Sequence, residues 1–221
     1  MIDIRRHQGI FNASNFEDKK ILVVGCGAIG SKIVTSLIKL GLENITVYDH
    51  DKVESHNIAN QDFNINQIGM SKVNAIKDFA TANEANIKVH EEKCNRDTIK
   101  DSVFHYAFIA VDTLEGRKEL IDALTRNISI ELIIETRMGS DEVQINSLNG
   151  RQHYKDWLKT INFDKEMVEV SACGSPISFG LISDLSAMLA VNMLIHYVND
   201  KLYYNRISAF SFPLEIETSS Y

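Results

Sequence analysis

The sequence predicts a doubly wound α/β fold: a mostly parallel sheet covered by helices on both faces, with antiparallel strands toward the C-terminus. Three observations predict it. Short apolar runs alternate with helix-spaced segments from Lys20 to Thr136. The central runs are almost wholly apolar, as strands buried on both faces are. A glycine-rich turn joins the first run to the first helical segment.

Taken in order, ILVV is a strand, IGSKIVTSLIKLG a helix closed by Gly41, and NITVYD a second strand. A polar loop leads to the helical SKVNAIKDFATAN, followed by the strand IKVHEE, the strand YAFIAVD, the helix LEGRKELIDALTRN and the strand SIELIIET. After Thr136 the pattern changes. EVQINSL alternates apolar with polar residues like a half-exposed strand, and the mixed polar RQHYKDWLKTINFDKEMVEV reads as a segment crossing the sheet. A long helix is expected from near Ile177 to about Asn199, and the alternation in RISAFSFPLEIET suggests antiparallel edge strands. The chain is expected to be one domain over 1–221: an N-terminal arm (1–19), a first half (20–136) and an extension (137–221).

Composition narrows the function classes. The 221 residues and 44% hydrophobic content suit one globular core. The longest apolar segment, Leu185 to Val198, is interrupted by Ser186, Asn192 and His196, so neither a signal peptide nor a membrane span is expected, and a cytoplasmic location is. A formal charge of -7 with no Lys/Arg block argues against nucleic-acid binding. Cys26, Cys94 and Cys173 are far apart and contain no CxxC pair, so they build neither a disulfide framework nor a four-thiolate zinc site.

The turn GCGAIG, Gly25 to Gly30, follows a strand and opens a helix, the context in which a GxGxxG match signals a Rossmann-like nucleotide site. Gly25 permits the tight turn, Gly27 lets phosphate approach the backbone, and Gly30 lets the helix pack against the strand. The N–H groups around Ala28 and Ile29, with the positive helix end behind them, favour an anion. Asp49 ends the second strand, where an acid takes the ribose hydroxyls. This much fits any adenine dinucleotide or adenosine phosphate, so an NAD-dependent oxidoreductase stays open.

The polar stretch DHDKVESHNIANQ (Asp49 to Gln61), followed by GMSKV, resembles the ThiF/MoeB/HesA branch of the ubiquitin-activating-enzyme-like (E1-like) adenylyltransferases. AVDTLEGRKEL, ETRMGSDEVQIN and CGSPISFGLISDLSAMLAV extend the resemblance from Arg5 to about Val198. It implies ATP- and Mg²⁺-dependent activation of a carboxyl terminus. The substrate would be the terminal glycine of a small ubiquitin-like or sulfur-carrier protein, or a peptide carboxyl terminus. It further implies that Asp49 holds ribose with Asp51 beside it, that Asn57, Asn60 and Gln61 contact the nucleotide, that Lys72 neutralises the triphosphate, and that Asp112 binds Mg²⁺. Asp51 serves equally as a loop-ordering group, Asp112 as an N-cap for the helix near Leu114, and Arg117 as half of a structural ion pair.

IRRHQGIF resembles the family segment from which an arginine reaches the neighbouring subunit's ATP. Arg5 or Arg6 would play that part, and a homodimer is implied. Cys173 lies where some members carry a thioester-forming cysteine; Cys26 and Cys94 look structural. The family's zinc knuckles are absent, so no structural zinc is expected. One position departs from the pattern: Asn60 stands where the family has a phosphate-gripping arginine. Arg137 is a candidate to restore that charge. The substitution also suits a nucleotide-binding, non-catalytic partner subunit of a heterodimeric activating enzyme.

Overall fold

Ile21–Val24 forms the central strand β1, buried along its whole length because helices cover both of its faces. In this computed structural model, which describes residues 2–7, 9–161, 179–202 and 204–220, it leads to helix α1 (Gly30–Lys39) and strand β2 (Ile45–Tyr48). The elements that follow are α2 (Lys72–Ala82), β3 (Lys88–His90), α3 (Arg96–Ile99), β4 (Tyr106–Ile109), α4 (Leu114–Leu124) and β5 (Leu132–Met138). β6 (Glu142–Leu148), α5 (Gly150–Lys159), α6 (Gly180–Val198), β7 (Arg206–Ser211) and β8 (Leu214–Ser219) complete the order.

The eight strands form one sheet in the order β3-β2-β1-β4-β5-β6-β7-β8. The first five are parallel to one another and the last three antiparallel to their neighbours, which is the predicted class. Alternation along each strand divides the core. Ile21, Val23, Phe108 and Ile134 point to the face covered by α1, α2 and α6, while Leu22, Val24, Ile109 and Ile133 point to the face covered by α3, α4 and α5.

Two readings are corrected. The segment expected only to cross the sheet begins with a helix, α5, in which Trp157 is fully buried. Its polar composition masks a stripe, Tyr154, Trp157, Leu158 and Ile161, at the i, i+3, i+4, i+7 spacing of an amphipathic helix. The N-cap of α4 is Thr113, whose Oγ1 accepts from the Gly116 N–H at 3.3 Å, so Asp112 does not serve as the cap. The expected start of the long helix at Ile177 falls outside the described residues, within which α6 starts at Gly180. By length and composition α6 could cross a membrane; half of it is buried inside the protein, and it packs on α1, β5 and β6.

Candidate nucleotide site

The glycine turn brings β1 and α1 together more closely than any side chain permits. Gly25 has φ +91°, and a Cβ there would sit 2.5 Å from the Ala110 carbonyl oxygen; one on Gly30 would sit 1.8 Å from the Gly25 carbonyl oxygen. A Cβ on Gly27 would meet nothing within 4 Å, because that position faces open space. α1 begins without a side-chain cap. The Ser31 N–H donates to the Gly27 carbonyl at 3.0 Å, and the positive end of the helix lies beside that space.

The space is a cleft of about 660 Å³ across the C-terminal ends of the parallel strands. It runs from Glu92, Lys93 and Cys94 beyond β3, past Tyr48 to Asp51 at β2 and the glycine turn at β1, to Ala110–Thr113 at β4 and Met138 at β5. Of the residues expected at the nucleotide, Gly25, Gly27, Ala28, Ile29, Asp49, Asp51, Gln61, Lys72 and Asp112 all line it.

Asp49 is a fixed acceptor. One carboxylate oxygen receives the Cys26 N–H at 2.6 Å and the other the Asp51 N–H at 2.8 Å, which ties the end of β2 to the glycine turn. Each oxygen keeps lone-pair capacity for a hydroxyl. Lys72 begins α2 almost fully buried. Its N–H donates to the Asp51 carbonyl at 2.9 Å and its ammonium to the Asp51 carboxylate, also at 2.9 Å. The loop between them is thus closed at its base by two bonds, and Asp51 is a loop-ordering group held at the cleft wall.

Asp112 is exposed at the mouth of the cleft and makes no ion pair with any described residue. Mg²⁺ needs only one or two protein carboxylates when phosphate oxygens and water complete its shell, so this residue fits the ion. Asp49, His50 and Asp51 also bring one ligand atom each within 4.8 Å of one another.

Other expected contacts are corrected. Asn57 is buried, but its Oδ1 accepts from the Glu54 N–H at 2.9 Å as half of a capping box, which turns it from the cleft. Asn60 does not line the cleft either. Its carbonyl accepts from Ser183 Oγ at 3.2 Å, and α6 comes so near that a Cβ on Gly180 would lie 3.7 Å from the Asn60 Cα. Gly30 acts behind the wall, in packing. Arg137 does not replace the missing arginine, since it donates to Glu135 at 2.8 Å and to both Thr160 oxygens at 3.1 Å. Arg5 is exposed and bound to Asp3, and neither it nor Arg6 lines its own chain's cleft. Cys173 lies outside the described residues.

A profile of the ThiF family matches residues 9–212. The chain belongs to the ThiF family. Among curated proteins it is similar to ubiquitin-like modifier-activating enzyme 5 of Caenorhabditis briggsae, 23% identical over 90% of this chain and 51% of that protein. It is similar also to the DNA damage tolerance protein RHC31 of Saccharomyces cerevisiae, 26% identical over 90% of this chain and 54% of that one. The chain therefore spans little more than half the length of these curated relatives. In fold it is similar to E. coli MccB solved with AMPCPP and MccA (TM-score 0.76, 17% identity, 94% of this chain and 65% of that one) and to PaaA (TM-score 0.69, 14% identity, 94% and 65%).

The cleft also contains residues that motif reasoning passed over. Tyr48 stacks on His90 with centroids 4.3 Å apart, and Glu92, Lys93, Cys94 and Met138 complete the wall. Burial pushes the Cys94 thiol up to about 11, and burial followed by the Asp49 charge raises Cys26 further, so both thiols stay protonated. Arg117 reaches the wall while its Nη1 is bonded to Glu135 at 2.5 Å. One signal was available: Glu135 is an acid within the apolar run ELIIETRM.

Proposed function

We propose that this chain is an ATP- and Mg²⁺-dependent adenylyltransferase that activates a carboxyl terminus, on a small ubiquitin-like or sulfur-carrier protein or on a peptide. One observation carries the reading. A buried lysine ammonium and an aspartate that makes no ion pair with any described residue flank the cleft at a helix N-terminus. An oxidoreductase binding NAD has use for the glycine turn and Asp49, but none for Lys72 and Asp112.

In this reading Asp49 holds the ribose, the α1 N-terminus receives phosphate at Gly27, and Lys72 exchanges part of its bond to Asp51 for phosphate oxygens. Asp112 holds Mg²⁺, which when bound offsets charge on the triphosphate. A carboxylate oxygen attacks the α-phosphorus; the new O–P bond forms as the bond to the bridging oxygen breaks. Pyrophosphate leaves with the electron pair, and no proton is transferred. The protein's share is positioning and charge stabilisation. Arg5 or Arg6 reaches the cleft of a second copy, and Cys173 is the candidate for later acyl transfer.

The fold likeness to MccB, solved with AMPCPP and its MccA partner, supports the reading. The test is exchange of labelled pyrophosphate into ATP, driven by a synthetic peptide ending in a free Gly-Gly carboxyl. Exchange that is absent with the C-terminal amide and lost in Asp112→Ala is expected; robust exchange by Asp112→Ala removes Asp112 from the mechanism. Asn60 supports a second reading, a partner subunit of a heterodimeric activating enzyme, which binds ATP and shows no exchange alone.

A further inference from the structure

The strand order gives the cleft a direction. With Asp49 for ribose at β2 and the phosphate opening at β1, the nucleoside extends toward β3, where Tyr48, Glu92 and Cys94 form the wall. The opposite half, over β4 and β5, is left for the group that joins the α-phosphorus. Its wall holds Asp112, Thr113, Gly116, Arg117 and Met138.

Arg117 is the cation of that half. Its side chain is 12% exposed; Nη1 donates to Glu135 at 2.5 Å and to the Thr136 carbonyl. Nε and Nη2 have no hydrogen-bond partner among the described residues. Two donors of a planar fork are therefore available on one side while the other side is fastened.

The fastening is unusually complete. Glu135 is fully buried, one oxygen accepting from Arg117 and from Arg137 Nε at 2.8 Å. Its other oxygen accepts from Asn146 Nδ2 at 2.9 Å and from Trp157 Nε1 at 3.1 Å. A buried carboxylate is costly and persists only when its lone pairs are filled, as these are. Burial alone would raise this acid; the charges of Arg117 and Arg137 and the bonds from Arg137 and Trp157 more than offset that and hold it below its usual value.

Resting on the adenylation reading, we propose that Arg117 binds the carboxyl reactant through its free donors, and that Glu135 is the positioning residue that orients this guanidinium. A fork suits the two oxygens of a carboxylate before attack and the acyl oxygen after it.

Calorimetric titration of the full chain with ATP-Mg²⁺, AMP and 5′-O-(N-acetylsulfamoyl)adenosine, a stable mimic of an acyl adenylate, tests this. The native chain is expected to prefer the acylated probe to AMP by about tenfold, the value of one hydrogen bond to a charged group. Arg117→Lys and Glu135→Gln abolish that preference and leave ATP-Mg²⁺ and AMP affinities within about twofold. Should Glu135→Gln fail to fold, Arg117→Lys, which leaves Glu135 its other three partners, carries the test. Unchanged discrimination in Arg117→Lys, or a parallel fall in all three affinities, overturns this inference alone. A native chain that does not bind ATP-Mg²⁺ overturns the adenylation reading and this inference with it.

Discussion

Gly30 lies against Gly25 so closely that a single methyl carbon on Gly30 would stand 1.8 Å from the Gly25 carbonyl oxygen. Three residues earlier in the same turn, Gly27 faces open cleft. The two glycines should therefore fail differently. Gly30→Ala is expected to cost about 3 kcal/mol through overpacking, lowering Tm by about 6–12 °C in a domain of this size. Gly27→Ala should leave Tm unchanged and weaken ATP-Mg²⁺ binding. Thermal melts paired with calorimetry read both; equal destabilisation by the two variants would show that Gly27 is only a packing residue.

Lys72 should matter to phosphate more than to the nucleoside. Its ammonium is nine-tenths buried against Asp51, so it is already oriented and needs only to turn toward an arriving oxygen. Lys72→Met is expected to weaken ATP-Mg²⁺ by about tenfold or more, the loss of one charge-assisted bond, with adenosine affinity unchanged. A similar fall for adenosine would mean that the variant had disturbed the loop and not the phosphates.

Glu135 makes the stability depend on acid in a defined direction. Its folded-state value lies below the ordinary 4.5, so the unfolded chain binds the proton first. The stability it contributes is fully present above the unfolded value and is lost as pH falls through the lowered folded value. Urea unfolding of the native chain and Glu135→Gln from about pH 7 to about pH 3 should show a native advantage that shrinks only below about pH 4.5. An advantage that is constant over the whole range would mean that the charge of Glu135 contributes nothing.

The two described thiols should be inert. Cys26 is fully buried, and Cys94 is raised to about 11 by burial, the neighbouring Thr98 hydroxyl offsetting only part of it. Iodoacetamide at about pH 8 should leave both unlabelled in the folded chain and label both after denaturation, read by peptide mass spectrometry. Native-state labelling of Cys94 would mean that the wall of the cleft opens.

What was legible in the sequence follows from what repeats locally. The all-apolar strands, the glycine spacing and the even separation of helices predicted the parallel half of the sheet, and the family resemblance carried by the polar loop, GMSKV and AVDT implied that Asp49, Lys72 and Asp112 serve one nucleotide. α5 escaped because a single tryptophan and three partly apolar neighbours carry its buried face in a polar stretch. Asn57 was misread because a side chain that caps its own turn looks the same, in sequence, as one that contacts a ligand. The Glu135 network was invisible for a different reason. Its partners, Arg117, Asn146 and Trp157, come from α4, β6 and α5, and only the folded order of layers brings them to one carboxylate.

A cleft made for a metal-bound triphosphate takes ATP-Mg²⁺ and rejects NAD. The decisive measurement is calorimetric titration of the native chain and Lys72→Met, in parallel, with ATP-Mg²⁺ and with NAD. Saturable heat from ATP-Mg²⁺, sharply reduced in Lys72→Met, is expected, and none from NAD. Preferential binding of NAD, equal in both proteins, would contradict it.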